Sequence, residues 1–331
     1  MRTISLLFLA LALPAFVQSK AYKDPQPFMR IQETAEGEIQ LQIAMRKLVP
    51  TQKVDAPPIW LVGVAHLGSK AYYEMIQKHL NEQDLVLFEG VGFHPDKASR
   101  LEGKRGAGTF KKGMAQDSIQ KDMAESLGLV FQLGAIDYDR ANFLNSDMSA
   151  AEFMGHFQPK GRNSILSGDP AKDREAKQFM ATLAGTSLAS KIIKGFMKLL
   201  GHSPKFQGMA RIVLIETLGT VGNEISNTES LPEGMRKLMK MILLKRNKIV
   251  LNDLRRELSR EELPNEISIF YGAAHMPHLE TKITKSFGYK SSKDTWLTCF
   301  SVRPDKQGLT KTDISFVRRI VGIQIKKHLK Q

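Results

Sequence analysis

Ile59-Trp60-Leu61-Val62-Gly63-Val64-Ala65-His66 is the stretch from which the fold can be read. A nearly unbroken apolar run of strand length, entered from Pro57-Pro58, has the density of a buried β-strand. Just beyond it, residues 69–81 place Tyr72, Tyr73, Ile76 and Leu80 at helical spacing on one side. Asp84-Leu85-Val86-Leu87-Phe88-Glu89-Gly90 then reads as a second buried strand. Strand, helix, strand at this spacing predicts a parallel pair with a crossover helix. Upstream, Met29 and Ile31, then Ile39, Leu41, Ile43 and Met45, alternate on either side of Glu36-Gly37, as in a β-hairpin.

Downstream, Gly134-Ala135-Ile136 is a third candidate strand, running into Asp137 and Asp139. Residues 97–113 are rich in Gly and Lys and read as a mobile loop. From about 150 to 260 the pattern is mostly helical, broken at 201–204 and 227–232. Residues 209–221 are apolar but carry Arg211 and Glu216, so they do not read as a membrane span. Strand character returns at 267–271, ending in Gly272-Ala273-Ala274-His275, and again at 296–302. The sheet therefore draws strands from both ends of the chain. The expected organisation is one α/β domain over 28–310, a helical insertion at about 150–260, and a basic tail at 311–331 containing Arg318, Arg319, Lys326, Lys327 and Lys330.

Composition narrows the function classes. Of 331 residues, 42% are hydrophobic and 25% charged, which suits a folded soluble protein and excludes a disordered or multi-pass membrane chain. Cys299 is the only cysteine, so an intrachain disulfide, a Cys-rich zinc finger and a CxxC redox centre are excluded. Lys and Arg outnumber Asp and Glu, 48 to 34, for a net charge of +14. Such a surface suits nucleic acid, anionic lipid or an acidic polymer, and compartment decides among them. Arg2, an apolar run from Ile4 to Val17 and the small Ser19 have the pattern of an export signal occupying residues 1–19. An uncleaved anchor or a buried first helix are the alternatives. Export to a periplasmic or secreted location, with possible membrane association, disfavours nucleic acid and favours an anionic membrane surface or acidic polymer as partner.

The sharpest feature is a repetition. The strand ending in Gly63-Val64-Ala65-His66 and the strand ending in Gly272-Ala273-Ala274-His275 share an apolar run followed by Gly-x-Ala-His. In open α/β sheets ligands bind at the carboxyl ends of strands, where both histidines would emerge. Glu89 ends another buried strand, a costly place for an unpaired charge. His66, His275 and Glu89 together can hold a divalent metal ion with an open position for water. Glu89 is either a ligand or the general base acting on that water.

With residues 235–258 set on a helix, Met239, Ile242, Leu243, Ile249 and Val250 form a stripe with Arg246 near its middle and Asp253 beside it. Arg246 either reaches the crevice to stabilise an oxyanion or is buried in a pair with Asp253, unless the helix buries its other face, which Leu244 and Leu251 allow. The remaining histidines, His79, His94, His156, His202 and His328, read as solvated surface, and His278 as a possible helper of His275. Asp137 and Asp139 are candidate crevice residues. The chain has no P-loop, no GxGxxG, no HExxH and no Gly-x-Ser-x-Gly.

Four ordered motifs resemble the TraB/GumN/Tiki superfamily: Gly63-Val64-Ala65-His66 with Leu67-Gly68-Ser69, Leu87-Phe88-Glu89, Arg246-Asn247, and Gly272-Ala273-Ala274-His275 with Met276-Pro277. The resemblance spans about 60–302. It implies a mixed central sheet flanked by helices, similar to the erythromycin-esterase and haem-binding ChaN proteins. It also implies a metal-dependent protease role carried by His66, His275 and Glu89, although TraB-type bacterial members are linked to pheromone inhibition. The long helical insertion and the loop at 97–113 depart from the pattern. The functional expectation is an exported metal-dependent hydrolase acting on a peptide or small molecule. The alternative is a binding protein holding a peptide or haem-like ligand in the same crevice. If the first segment is a cleaved signal, intact-mass measurement on exported protein will show the chain starting near Lys20; a product retaining Met1 to Ser19 refutes cleavage.

Overall fold

The computed structural model describes residues 26–52, 55–90, 119–158, 203–221 and 239–329, with Ser164, Asp169 and Asp173. Residues 1–19, the loop at 97–113, His94 and His202 lie outside the described residues. The architecture is α/β, with a mixed seven-stranded sheet between helical layers. The hairpin is present as β1 (Met29–Glu33) and β2 (Ile39–Pro50). Gly37 turns the chain with a φ of 77°, a conformation that glycine adopts without strain. β9 (Tyr289–Val302) covers β2 along its whole length, so β1 and β3 (Ile59–Val64) share the opposite edge of β2.

From β3 the sheet is parallel. β8 (Ile267–Gly272) pairs with β3 on one side and with β5 (Leu85–Phe88) on the other, and β7 (Phe143–Asn145) follows β5. The strand–helix–strand unit expected from the sequence exists, but its two strands are not neighbours, because β8 fills the place between them. Its helix α1 (Lys70–Asn81) is capped by the Ser69 hydroxyl, which accepts from the Tyr72 N–H, and it buries Tyr72, Tyr73, Ile76 and Leu80.

Alternation sends side chains to two cores. Val62, Val64, Val86, Phe88 and Phe270 face α1, α5 (Pro204–Val221) and α8 (Lys311–Leu329). Leu61, Leu85, Leu87, Ile269 and Tyr271 face α6 (Arg246–Glu257) and α7 (Met276–Phe287). Glu89, the next residue in the parity of Leu85 and Leu87, emerges on the α6 side.

Three sequence expectations change. Residues 134–136 are not a strand: α3 (Gln132–Ala135) is a short helical turn after β6 (Val130–Phe131), which pairs with β4 (Leu67–Gly68). The third parallel strand after β5 is β7, only three residues long. The helix carrying Arg246 includes a π-helical segment, Lys240–Lys245, directly before α6. Among the described residues the expected insertion contributes only helices, including α4 (Ala150–Gly155). The basic end of the chain is α8, docked through Val317, Val321 and an Arg318–Glu216 bond of 2.6 Å. Among the described residues no helix is long and apolar enough to cross a membrane.

Phe270 lies in the central strand with 1% exposure and packs near Tyr138, with ring centroids 6.2 Å apart. Phe270→Ala is expected to cost about 3–5 kcal/mol in a denaturant titration, since the sheet centre cannot collapse around the lost ring. A loss under about 1 kcal/mol would contradict a central, fully packed β8.

Candidate functional site

The carboxyl ends of β3, β8, β5 and β7 meet at one edge of the sheet, and each contributes a polar residue just past its last strand position. Glu89 follows β5 and Asp147 follows β7. His66 follows β3, and His275 ends the short turn Ala273–His275 after β8. The two Gly-x-Ala-His strands are direct neighbours, with Gly63 opposite Tyr271 and Val64 opposite Gly272, so the motifs are offset by one residue.

Gly272 has a specific task. Its N–H donates to Glu89 Oε2 at 2.6 Å, and a Cβ there would lie 3.2 Å from the same oxygen. A side chain at this position would press on the carboxylate that the backbone holds. The opposite oxygen, Glu89 Oε1, is 2.6 Å from Arg246 Nη2 and 3.7 Å from His275 Nε2.

Arg246 sits on the buried stripe of α6, 7% exposed, with Asn247, Val250, Asp253, Leu254 and Glu257. Its pairing is with the sheet and not with Asp253, which pairs with Arg256 at 3.0 Å. Arg246 Nε and Nη2 donate to the two oxygens of Asp147 at 2.9 and 2.5 Å. Those oxygens also accept from the N–H groups of Met148 and Gly90, at 2.8 and 2.9 Å, so the fully buried Asp147 is held from four directions. Burial works against the Arg246 charge, but Glu89 and Asp147 outweigh it and raise its pKa well above the ordinary value. Burial likewise opposes the Glu89 charge. Arg246, then His275 and His66, with the Gly272 N–H, prevail and hold the carboxyl far below the usual range.

The two histidines are wired alike. His275, 4% exposed, places Nδ1 2.6 Å from Asn247 Oδ1. The Asn247 amide is oriented by its Nδ2, which donates to the His275 carbonyl at 3.3 Å and to His278 Nδ1 at 3.0 Å. His66, which is exposed, places Nδ1 3.0 Å from Gln132 Oε1. The Gln132 amide is oriented by donation from Nε2 to the Tyr138 hydroxyl at 2.9 Å, and its backbone N–H bonds the His66 carbonyl at 2.9 Å. Each amide oxygen can only accept, so Nδ1 is the donor in each pair, and in the neutral ring this leaves the lone pair on Nε2. Burial pushes the His275 pKa down to about 4, so this imidazole is neutral at neutral pH.

Beside this edge lies a groove of about 920 Å³ between α1, α2 (Ile119–Ser126), β6 and α3. Leu129, Phe131, Leu133 and Ile136 line it, and Tyr138 joins it to the Gln132–His66 pair. Asp137 and Asp139 line this groove, away from the ion pairs around Glu89.

The structure thus brings together Glu89, Arg246 and His275, and His66 acts electrostatically on the same carboxylate. His278 is linked to His275 through Asn247. His156 is buried at 9% exposure, not solvated, and His79 is half-buried with its ring edge-on to Trp60 at 4.9 Å. The sequence gives no site role to Asp147, Gln132 or Tyr138, and Asn247 enters it only within the Arg246-Asn247 motif. Asn247 stands next to Arg246, which is a signal in the sequence, whereas Asn145-Ser146 separate Asp147 from the apolar pair Phe143-Leu144, so no apolar run leads directly into it. Among the described residues, no three His, Cys, Asp or Glu side chains are grouped closely enough to hold a metal ion as they stand. Comparison of the chain with protein-family models, curated proteins and solved structures finds no match.

Removing the cation between two carboxylates should be severe. Arg246→Met is expected to destabilise the protein by about 3–5 kcal/mol, because Glu89 and Asp147 are left buried and facing each other. Adding Asp147→Asn to that variant should restore part of the loss, as one of the two stranded charges is removed. Additive losses in a denaturant-based double-mutant cycle would refute the coupling.

Proposed function

We propose that the chain is an exported metal-dependent hydrolase of the TraB/GumN/Tiki type, acting on a peptide bond, on an erythromycin-esterase/ChaN-like version of the mixed sheet. The observation that carries this reading is the matched wiring of His66 and His275, each with Nδ1 tied to an oriented amide oxygen. This is how proteins fix the tautomer of an imidazole that offers Nε2 to a metal ion. His66 Nε2, His275 Nε2 and the ionised Glu89 are a donor set suited to a divalent cation, and these residues would hold it. Such an ion supplies Lewis acidity and a water of lowered pKa.

The protein's own groups have separable tasks. A carboxyl held so far below its ordinary range is a poor proton acceptor, which favours Glu89 as a ligand over Glu89 as general base. Arg246 binds its two carboxylates through Nε and Nη2, and Nη1 makes no further bond among the described residues. That donor, unengaged among the described residues, is suited to a developing oxyanion. The apolar groove next to Tyr138 is suited to a side chain of the substrate, with Gln132 linking its occupancy to the orientation of His66.

The groove also favours a second reading, a binding protein for a peptide or haem-like ligand with His66 or His275 as the contact. Elemental analysis beside peptide-cleavage assays separates the two. His66→Ala and His275→Ala should each lower metal occupancy while the fold persists. Glu89→Gln should lower occupancy and turnover together. Arg246→Lys should keep the metal and lose roughly 10²–10³-fold in turnover, since Lys cannot reproduce the guanidinium fork. Wild-type protein without bound divalent ion, together with a Soret band on haem titration, would replace the hydrolase by the binding protein.

A further inference from the structure

The outer face of α8 is apolar and uncovered. Phe316, Ile320 and Ile323 are 46%, 42% and 58% exposed, and their spacing of four and three places them on one stripe. The inner face of the same helix is committed to the core through Val317 and Val321, and Arg318 bonds Glu216 of α5 and Glu33 of β1. The helix therefore cannot roll to hide the stripe. Among the described residues, five of the seven large hydrophobic side chains that stand exposed belong to α8 or its neighbour α5, the other two on α5 being Phe206 and Val213. Exposed apolar side chains scattered singly need no explanation, but this concentration does.

We propose that this face of α8 docks onto an anionic lipid surface, lying in the plane of the headgroups. Charge selects the partner. Arg319 is exposed within the stripe and Lys311 is exposed at the start of the helix, in a chain of net charge +14. A helix with an apolar stripe set among basic residues inserts its apolar side chains at the acyl boundary while the cations meet acidic headgroups. The same charges oppose a second copy as the occupant, because a two-fold contact on this stripe would bring Arg319 toward its own counterpart. The proposal does not depend on the hydrolase reading, since none of these residues touches the site at the strand ends.

Co-sedimentation of the full chain with vesicles tests it, using phosphatidylglycerol mixed with phosphatidylcholine against phosphatidylcholine alone, at low and high salt. The chain should pellet with the acidic vesicles, and high salt should release it. Replacing the stripe, Phe316→Ser, Ile320→Ser and Ile323→Ser together, should lower the bound fraction at least about tenfold at unchanged thermal midpoint. If that variant melts early, Ile323→Ser alone, at the most exposed of the three positions, should still weaken binding about threefold. Arg319→Gln should weaken binding less and flatten its salt dependence. Undiminished pelleting of the stripe variant, whether through residues 1–19 or another surface, overturns the proposal. So does equal binding to uncharged vesicles. A wild-type dimer that the stripe variant converts to monomer, without vesicle binding by either, would make the face a self-interface and overturn it as well.

Discussion

The arrangement of the molecule depends on one strand, β8, lying between β3 and β5. It pairs with both over their full lengths, Ile59 opposite Ile267 on one side and Leu85 opposite Ile267 on the other. Because all three run the same way, their carboxyl ends open at a single edge. The second Gly-x-Ala-His motif thereby stands beside the first, with Glu89 on the far side of it.

The polar groups at that edge survive burial because they neutralise one another. Arg246 alone would be prohibitively costly at 7% exposure, and so would Asp147 at full burial. Joined through a fork and met by two backbone N–H groups, they form a fixed dipolar anchor against which Glu89 is oriented. His275 adds no charge near neutrality, since burial holds its pKa near 4. The edge therefore presents the Arg246 cation, the Glu89 carboxylate and a neutral His275 imidazole. This pre-set polarity needs little rearrangement when a ligand arrives.

Much of this was legible in the sequence, for identifiable reasons. The strands β3, β5 and β8 announce themselves because burial on both faces demands continuous apolar runs. The hairpin and α1 follow from periods of two and 3.6. Glu89 and the two histidines stand out as polar residues directly after such runs. What failed was short or irregular. β7 is three residues long, too short to establish any period, so nothing in the pattern marks Asp147 at its end, and the apolar residues at 134–136 mimic a strand where the chain makes a helical turn. The π-helical turn at Lys240–Lys245 shifts the phase of a stripe calculated at 3.6 residues per turn, yet Arg246 still lies on the buried side. Strand order was not legible at all, because hydrophobic pattern reports burial and not neighbours.

The place of β8 also governs how the chain can assemble as it is made. Residues 59–88 hold two strands of the central sheet, but their partner is supplied only when residue 272 has been synthesised. Until then β3 and β5 each present an unsatisfied ladder toward an empty lane, the condition under which nascent chains recruit one another. Closing that lane joins residues more than two hundred positions apart, which slows folding and lengthens the interval of exposure.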